Sequence, residues 1–216
     1  MSKILIAAAV SVLLLPIAAH AQNVEVGARI STLGAGVEVG GNLNDHVRIR
    51  GLVNGWDVNH DNTTDSIRYN GKLKLGSAGV QVDYRPAASG NFYVTAGLYA
   101  NRNRVRETAM PTGNTQIGSV TYTPAEIGTL TGRARYKDTA PYLGLGWDVP
   151  TGPVSFNFEL GAYFQGHPSV TLTSDGTLSG NAAYQDQLEQ ERLKLRHDLD
   201  KASTWPVVAL GVRYQF

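Results

Sequence analysis

The chain has 216 residues, with 24 glycines, 10 tyrosines, no cysteine and a formal net charge of +1. The absence of cysteine excludes disulfide scaffolds, thiol catalysis and cysteine-based zinc sites. The near-neutral charge gives no electrostatic reason to expect a nucleic-acid partner, and the length allows one domain or two small ones.

The chain begins with Lys3, an apolar run from Ile4 to Ala19, and Ala19-His20-Ala21 ahead of Gln22. This is the pattern of a secretory signal peptide over residues 1–21, cleaved after Ala21. The run is too short, and too soon followed by polar sequence, for a spanning helix. Lys3 is the leader's only charge, so residues 22–216 carry equal numbers of basic and acidic side chains. No later apolar stretch is long enough for a transmembrane helix. Membrane barrels, however, carry a period-2 signal that window averaging erases.

That signal is present. A first strand is expected at Val24 to Ser31. In Leu33 to Gly40, Leu33, Ala35, Val37 and Val39 oppose Gly34, Gly36, Glu38 and Gly40. In Val47 to Trp56, Val47, Ile49 and Val53 oppose Arg48, Arg50, Asn54 and Trp56. The alternation changes phase near Gly76 to Gly79, which suggests a β-bulge. It resumes cleanly in Phe92 to Ala100, Val154 to Phe164 and the final segment ending at Phe216. Such alternation places one face in an apolar medium and the other in a polar one. The polar face is rich in Gly, Tyr, Arg and Glu, which suits a narrow lumen where small residues make room for large polar ones. The class is therefore all-β: a transmembrane antiparallel up-and-down barrel of eight strands, spanning residues 22–216.

Short connections at Asn42 to Asp45, Arg85 to Gly90 and Pro150 to Pro153 alternate with long ones at Asp57 to Asp65, Arg102 to Leu130 and Gly166 to Ser203. Short periplasmic turns and long external loops are the asymmetry expected of outer-membrane barrels. In the last long loop, Ala182 to Lys201 has Leu188, Leu195 and Leu199 at helical spacing. Aromatic girdles are expected from Tyr84, Phe92, Trp147, Phe156 and Tyr214 near the turns, and from Trp56, Tyr99, Phe164 and Trp205 near the loops. The terminal Phe216, on an amphipathic last strand, resembles the targeting signal of bacterial outer-membrane barrels.

Two segments are more distinctive: Tyr136-Lys-Asp-Thr-Ala-Pro-Tyr-Leu-Gly-Leu-Gly-Trp147 and Gly161-Ala-Tyr-Phe-Gln-Gly-His-Pro-Ser-Val-Thr-Leu172. With the charged helix and Trp205-Pro-Val-Val-Ala-Leu-Gly-Val-Arg-Tyr-Gln-Phe216, they resemble outer-membrane proteins of the CarO type. The resemblance runs from about Arg135 to the end, is looser from Leu33 to Arg85, and fails in the loops Asp57 to Asp65 and Arg102 to Leu130. It implies a small eight-stranded barrel discussed as a channel for ornithine and other basic amino acids, and linked to carbapenem uptake.

Under this strand assignment Glu38, Arg48, Arg50, Asp83, Arg85, Glu159 and Arg213 point inward. Eight strands enclose little more than side-chain volume, so mutual pairing into a salt-bridged plug is the default expectation. If a path exists, Glu38, Asp83 and Glu159 would attract ammonium groups, and Arg48, Arg50 and Arg85 would take a carboxylate. Asp57, Asn59, Asp61, Thr63 and Asp65 begin like a calcium loop. Asn62 and Arg68 stand where that loop needs Gly and Glu, so no metal is expected there. Arg102, Arg104 and Arg106 at the start of an external loop are candidates to hold lipid phosphates. His167-Pro-Ser169 is the one His close to a Ser, too little for an enzyme, so no catalytic residue or cofactor is assigned. Gly34-x-Gly36 and Gly144-x-Gly146 lie within strands and are lumen glycines.

The reading is therefore a monomeric barrel of the Gram-negative outer membrane, forming a narrow porin-like channel for small zwitterionic or basic solutes such as ornithine or arginine. Its rival is a closed structural, adhesive or envelope-stress barrel acting through its external loops, and a lipid-modifying barrel enzyme stands behind both. Outer-membrane lipids and lipopolysaccharide are the expected surroundings, with the barrel-assembly machinery engaged during biogenesis.

Overall fold

The structure, a computed structural model, describes residues 22–64 and 67–216; the leader reading at 1–21 lies outside them. Eight strands close into one antiparallel barrel: β1 (Gln22–Ser31), β2 (Gly34–Asn42), β3 (Val47–Thr64), β4 (Ile67–Tyr84), β5 (Phe92–Asn101), β10 (Thr139–Thr151), β11 (Val154–Phe164) and β13 (Thr204–Gln215). Neighbours along the chain pair in order. The first strand closes on the last, with Val26 opposite Tyr214 and Ala28 opposite Val212. The β4–β5 pairing completes the circuit between the two halves, so the barrel has no free edge. Val24 to Ser31 is thus a barrel strand as expected. Gly152, at φ 64°, supports the two-residue turn between β10 and β11.

The outer face is apolar and uncovered. Val26, Ile30, Val37, Leu98, Leu143, Phe156 and Leu210 are all exposed around the circumference. Water does not tolerate a continuous apolar belt of this kind, whereas lipid does. No helix among the described residues is long and apolar enough to cross a membrane; the strands do so.

Five strands do not stop at the membrane. β3 and β4 continue as a hairpin, and β6 (Arg104–Pro111), β9 (Leu130–Arg135) and β12 (Ser169–Ser174) prolong the lines of β5, β10 and β11. The order β3-β4-β6-β9-β12 repeats the barrel order β3-β4-β5-β10-β11, so the wall itself rises above the bilayer. The segment expected as a long loop after Trp56 is therefore strand over its described residues, the second is about half strand, and the third holds β12 and the expected helix. This also corrects the bulge expected at Gly76 to Gly79, because β3 and β4 stay in continuous register from Val47↔Tyr84 to Thr64↔Ile67. The polarity flips without the backbone slipping. Below Gly76 the outward residues Ala78, Val80 and Val82 suit lipid hydrocarbon, and above it the exposed Lys74 and Lys72 suit a polar medium.

The rest of the chain closes over the inner side of this raised wall. The small hairpin β7 (Thr115–Ile117) and β8 (Val120–Tyr122), the single turn α1 (Pro124–Ile127) and the long helix α2 (Ala182–Asp200) share a second core. Ile117, Ile127, Tyr184 and Leu188 are buried there against Leu130, Leu172 and Leu178. α2 occupies the expected stretch. Asn181 caps it by accepting from the Tyr184 amide. The girdle near the turns forms as expected from exposed Tyr84, Trp147, Phe156 and Tyr214, but the one near the loops is thinner. Tyr99 points inward and is fully buried, and Trp205 packs against the lumen core. Both are spaced as lumen residues on their strands.

Candidate functional site

The lumen is the site, and strand parity builds it. Every second residue faces inward: Glu25 and Arg29 on β1, Glu38 on β2, Arg48 and Arg50 on β3, Gln81 and Asp83 on β4. Tyr93, Thr95 and Tyr99 come from β5, Tyr142 and Asp148 from β10, Asn157, Glu159 and Tyr163 from β11, and Arg213 from β13. Glycines on the same faces make the room. A Cβ on Gly97 would stand 2.8 Å from Cγ of Gln81, and one on Gly40 would stand 2.9 Å from Cγ of Arg50.

Five carboxylates and five guanidiniums interlock there. At the centre Arg50 donates Nε and Nη2 to the two oxygens of Asp83, at 2.7 and 2.8 Å. The same guanidinium reaches Glu159 at 2.7 Å and Glu38 at 3.2 Å. Arg48 shares Asp83 at 2.6 Å and donates to Asp148 at 2.9 Å. Arg29 joins Glu159 at 3.3 Å and Glu38 at 3.5 Å. Towards the short turns Arg213 meets Glu25, Glu38 and Asp148, and Arg85 closes the periplasmic end on Asp148 at 3.2 Å and Asn42 at 3.0 Å. Tyr142 and Tyr93 donate to Glu159 at 2.8 and 3.1 Å, and the Tyr93 ring lies beneath Arg48 and Arg50, 4.9 and 5.5 Å from their guanidinium carbons. Unpaired, each buried ion would cost several kcal/mol, and this mutual pairing offsets it.

Above the charges sits an aromatic layer. Tyr99 packs edge-on against Tyr142 and Tyr163, with ring centroids 6.0 and 5.5 Å apart. Leu33, Leu52, Ala140 and Val207 fill the spaces between, and Trp205 covers them. The lumen is thus ion-paired towards the short turns and crossed by an aromatic layer, beyond which buried Asn54, Ser77, Asn101, Asn103 and Gln165 line its outer end.

All seven lumen residues inferred from the sequence, Glu38, Arg48, Arg50, Asp83, Arg85, Glu159 and Arg213, belong to this one network. Sequence reasoning missed Glu25, Arg29 and Asp148. Their signal was available, because Glu25 and Arg29 share the inward parity of β1, and Asp148 follows Gly144 and Gly146 at the same spacing.

The other candidates lie elsewhere. Of the calcium-like run Asp57 to Asp65, Asp65 lies outside the described residues and the rest is extended strand, which sets successive members Asp57, Asn59 and Asp61 about 6.8 Å apart and keeps them from converging on one ion. Asp57 pairs with Lys74 at 3.8 Å and Asp61 accepts from Asn70 at 2.5 Å. Arg104 and Arg106 lie on β6, and Arg102 just before it, all three exposed on the raised wall. His167 pairs with Asp200 at 2.6 Å but, among the described residues, makes no hydrogen bond with Ser169. The Phe216 side chain is exposed and its amide donates to Val24 at 3.0 Å.

No family model and no curated protein matches the chain. Among solved structures it is similar to CarO2 of Acinetobacter baumannii, with a TM-score of 0.64 and 22% identity over 91% of this chain and 99% of that one. It is also similar to CarO of the same organism, with a TM-score of 0.62 and 23% identity over 90% and 98%. The fold is that of a CarO-type outer-membrane barrel.

Proposed function

We propose that this outer-membrane barrel of the CarO type has a sealed lumen and acts at the cell surface through the wall extension and helix that rise above the membrane. The observation that carries the reading is the lumen itself: five acids and five arginines are bound to one another beneath a layer of buried tyrosines. A solute as large as an amino acid has no way through without breaking several buried ion pairs, each costly to open. The raised wall, by contrast, has its own core and a folded surface, as a structural or adhesive barrel needs. Export by the leader at residues 1–21, with Phe216 read by the assembly machinery, fits this location.

One observation favours the second reading, a narrow path for small zwitterionic or basic solutes such as ornithine or arginine. Arg29 Nε, Arg48 Nη2, Gln81 Oε1, Asn157 Nδ2 and the Tyr163 hydroxyl are buried in the lumen without protein partners. Such groups are satisfied by water, and a hydrated lumen is the starting condition for conduction. In that reading Glu38, Asp83 and Glu159 receive the ammonium groups.

Liposome swelling with refolded protein separates the two. The sealed reading expects the same rate as empty liposomes with ornithine, arginine, glutamate and a neutral sugar of similar size. Faster swelling with the two basic amino acids would establish the path instead.

A further inference from the structure

The outward face of the raised wall carries an ordered set of cations. In register across β4, β6 and β9 stand Lys74, Arg104 and Arg135, and one step further out stand Lys72, Arg106 and Arg133. All six are exposed. Strand spacing and rise place them on a grid of about 10 by 7 Å. Like charges directly opposite one another destabilise a sheet, and here two successive rows repeat the cost. The acids nearby serve only the row nearer the membrane, where Asp57 pairs with Lys74 and Asp138 with Arg135. Among the described residues Lys72, Arg106 and Arg133 have no carboxylate partner. A cavity of about 200 Å³ opens beside them, lined by Asn70, Lys72, Arg106 and Thr108.

The place of this grid in the fold identifies what it meets. The register of β3 with β4 is unbroken, so Lys74 and Lys72 share the outward face with Ala78, Val80 and Val82, which look into lipid. Lys74 stands four positions beyond Ala78, about 13 Å along a tilted strand. That step passes from the hydrocarbon belt into the layer of lipid head groups. We infer that this grid binds the phosphate groups of the lipopolysaccharide packed against the barrel, with Lys72, Arg106 and Arg133 as its unpartnered centre. Guanidinium and ammonium donors pair with phosphate oxygens through short, charge-assisted bonds. Arg102 and Arg104, on the same face, extend the site towards the membrane. The inference holds for a sealed or an open lumen alike.

The test uses the full refolded protein in detergent micelles and measures binding of lipid A carrying both phosphates against the same lipid A with its phosphates removed. Phosphorylated lipid A is expected to bind at least about tenfold more tightly. The triple variant Lys72→Gln, Arg106→Gln, Arg133→Gln should lose that preference and still migrate as a folded, heat-modifiable barrel. Removing three exposed charges from α2 and its C-terminal cap instead (Lys194→Gln, Arg196→Gln, Lys201→Gln) should leave it intact. Equal binding of the two lipids by the unaltered protein would overturn the inference. So would an unchanged preference in the folded triple variant, or heparin binding as tightly as phosphorylated lipid A, which would make the grid a site for soluble polyanions.

Discussion

Replacing Arg50 by methionine removes the hub of the lumen while keeping much of its volume. Arg50 makes four charge-assisted hydrogen bonds, two to Asp83 and one each to Glu159 and Glu38. At about 1.5–3 kcal/mol apiece these would sum to more than a small barrel can lose. Each carboxylate, however, keeps a second arginine: Asp83 retains Arg48, Glu159 retains Arg29 and Glu38 retains Arg213. The loss should therefore fall to the range for breaking one buried pair, about 3–5 kcal/mol. Urea unfolding in lipid vesicles, with the folded fraction read from heat-modifiable migration, measures it. Adding Asp83→Leu removes the charge left behind, so the double variant should be destabilised by at least about 1 kcal/mol less than the sum of the singles. A loss below about 1 kcal/mol for Arg50→Met would put this pair with solvent-exposed ones and refute the picture of a buried, mutually paired lumen.

Three further outcomes follow from the same structure. Gly79→Val should destabilise the barrel by about 1–3 kcal/mol in the same unfolding assay, because its Cβ meets the Tyr99 ring, whereas Gly76→Ala meets only ordinary contacts and should be nearly neutral. Asn181→Ala should cost about 1 kcal/mol of helix stability, seen as faster proteolysis within α2 while the barrel stays intact. Glu126 accepts from the Thr123 amide at 2.7 Å and its hydroxyl at 2.8 Å, which holds its carboxyl below its ordinary 4.5. A depressed folded pKa gives stabilisation that is present above 4.5 and lost as pH falls through the lower folded value. Amide exchange at Thr123–Gly128, corrected for intrinsic rates, should therefore accelerate below pH 4.5, and Glu126→Gln should abolish that dependence.

Much of the barrel was legible because the two media impose a period of two on the sequence. Glu38, Arg48, Arg50, Asp83, Glu159 and Arg213 could be assigned to the lumen by parity, and all of them meet there. Parity gives direction but not height along the axis. It could not show that Arg50 bridges Asp83, Glu159 and Glu38, or that Tyr99 and Trp205 belong to a layer inside the barrel. The raised wall was read as loops for a related reason. Above Gly76 the outward medium is polar, so the alternation inverts, and an inversion reads as a bulge or as irregular chain. The basic grid is spread over Lys72, Arg106 and Arg133, residues far apart in sequence that become neighbours only through strand pairing.

The central claim, a lumen sealed by its own ion pairs, is tested most directly by planar-bilayer recording of the purified protein. The unaltered barrel should give no conductance steps. A variant that clears both layers (Arg29→Ala, Arg50→Ala, Tyr99→Ala, Tyr163→Ala), provided it still migrates as a folded barrel, should conduct. Regular steps from the unaltered protein, larger for arginine chloride than for a salt of a bulky cation, would contradict the account and make the lumen a working path.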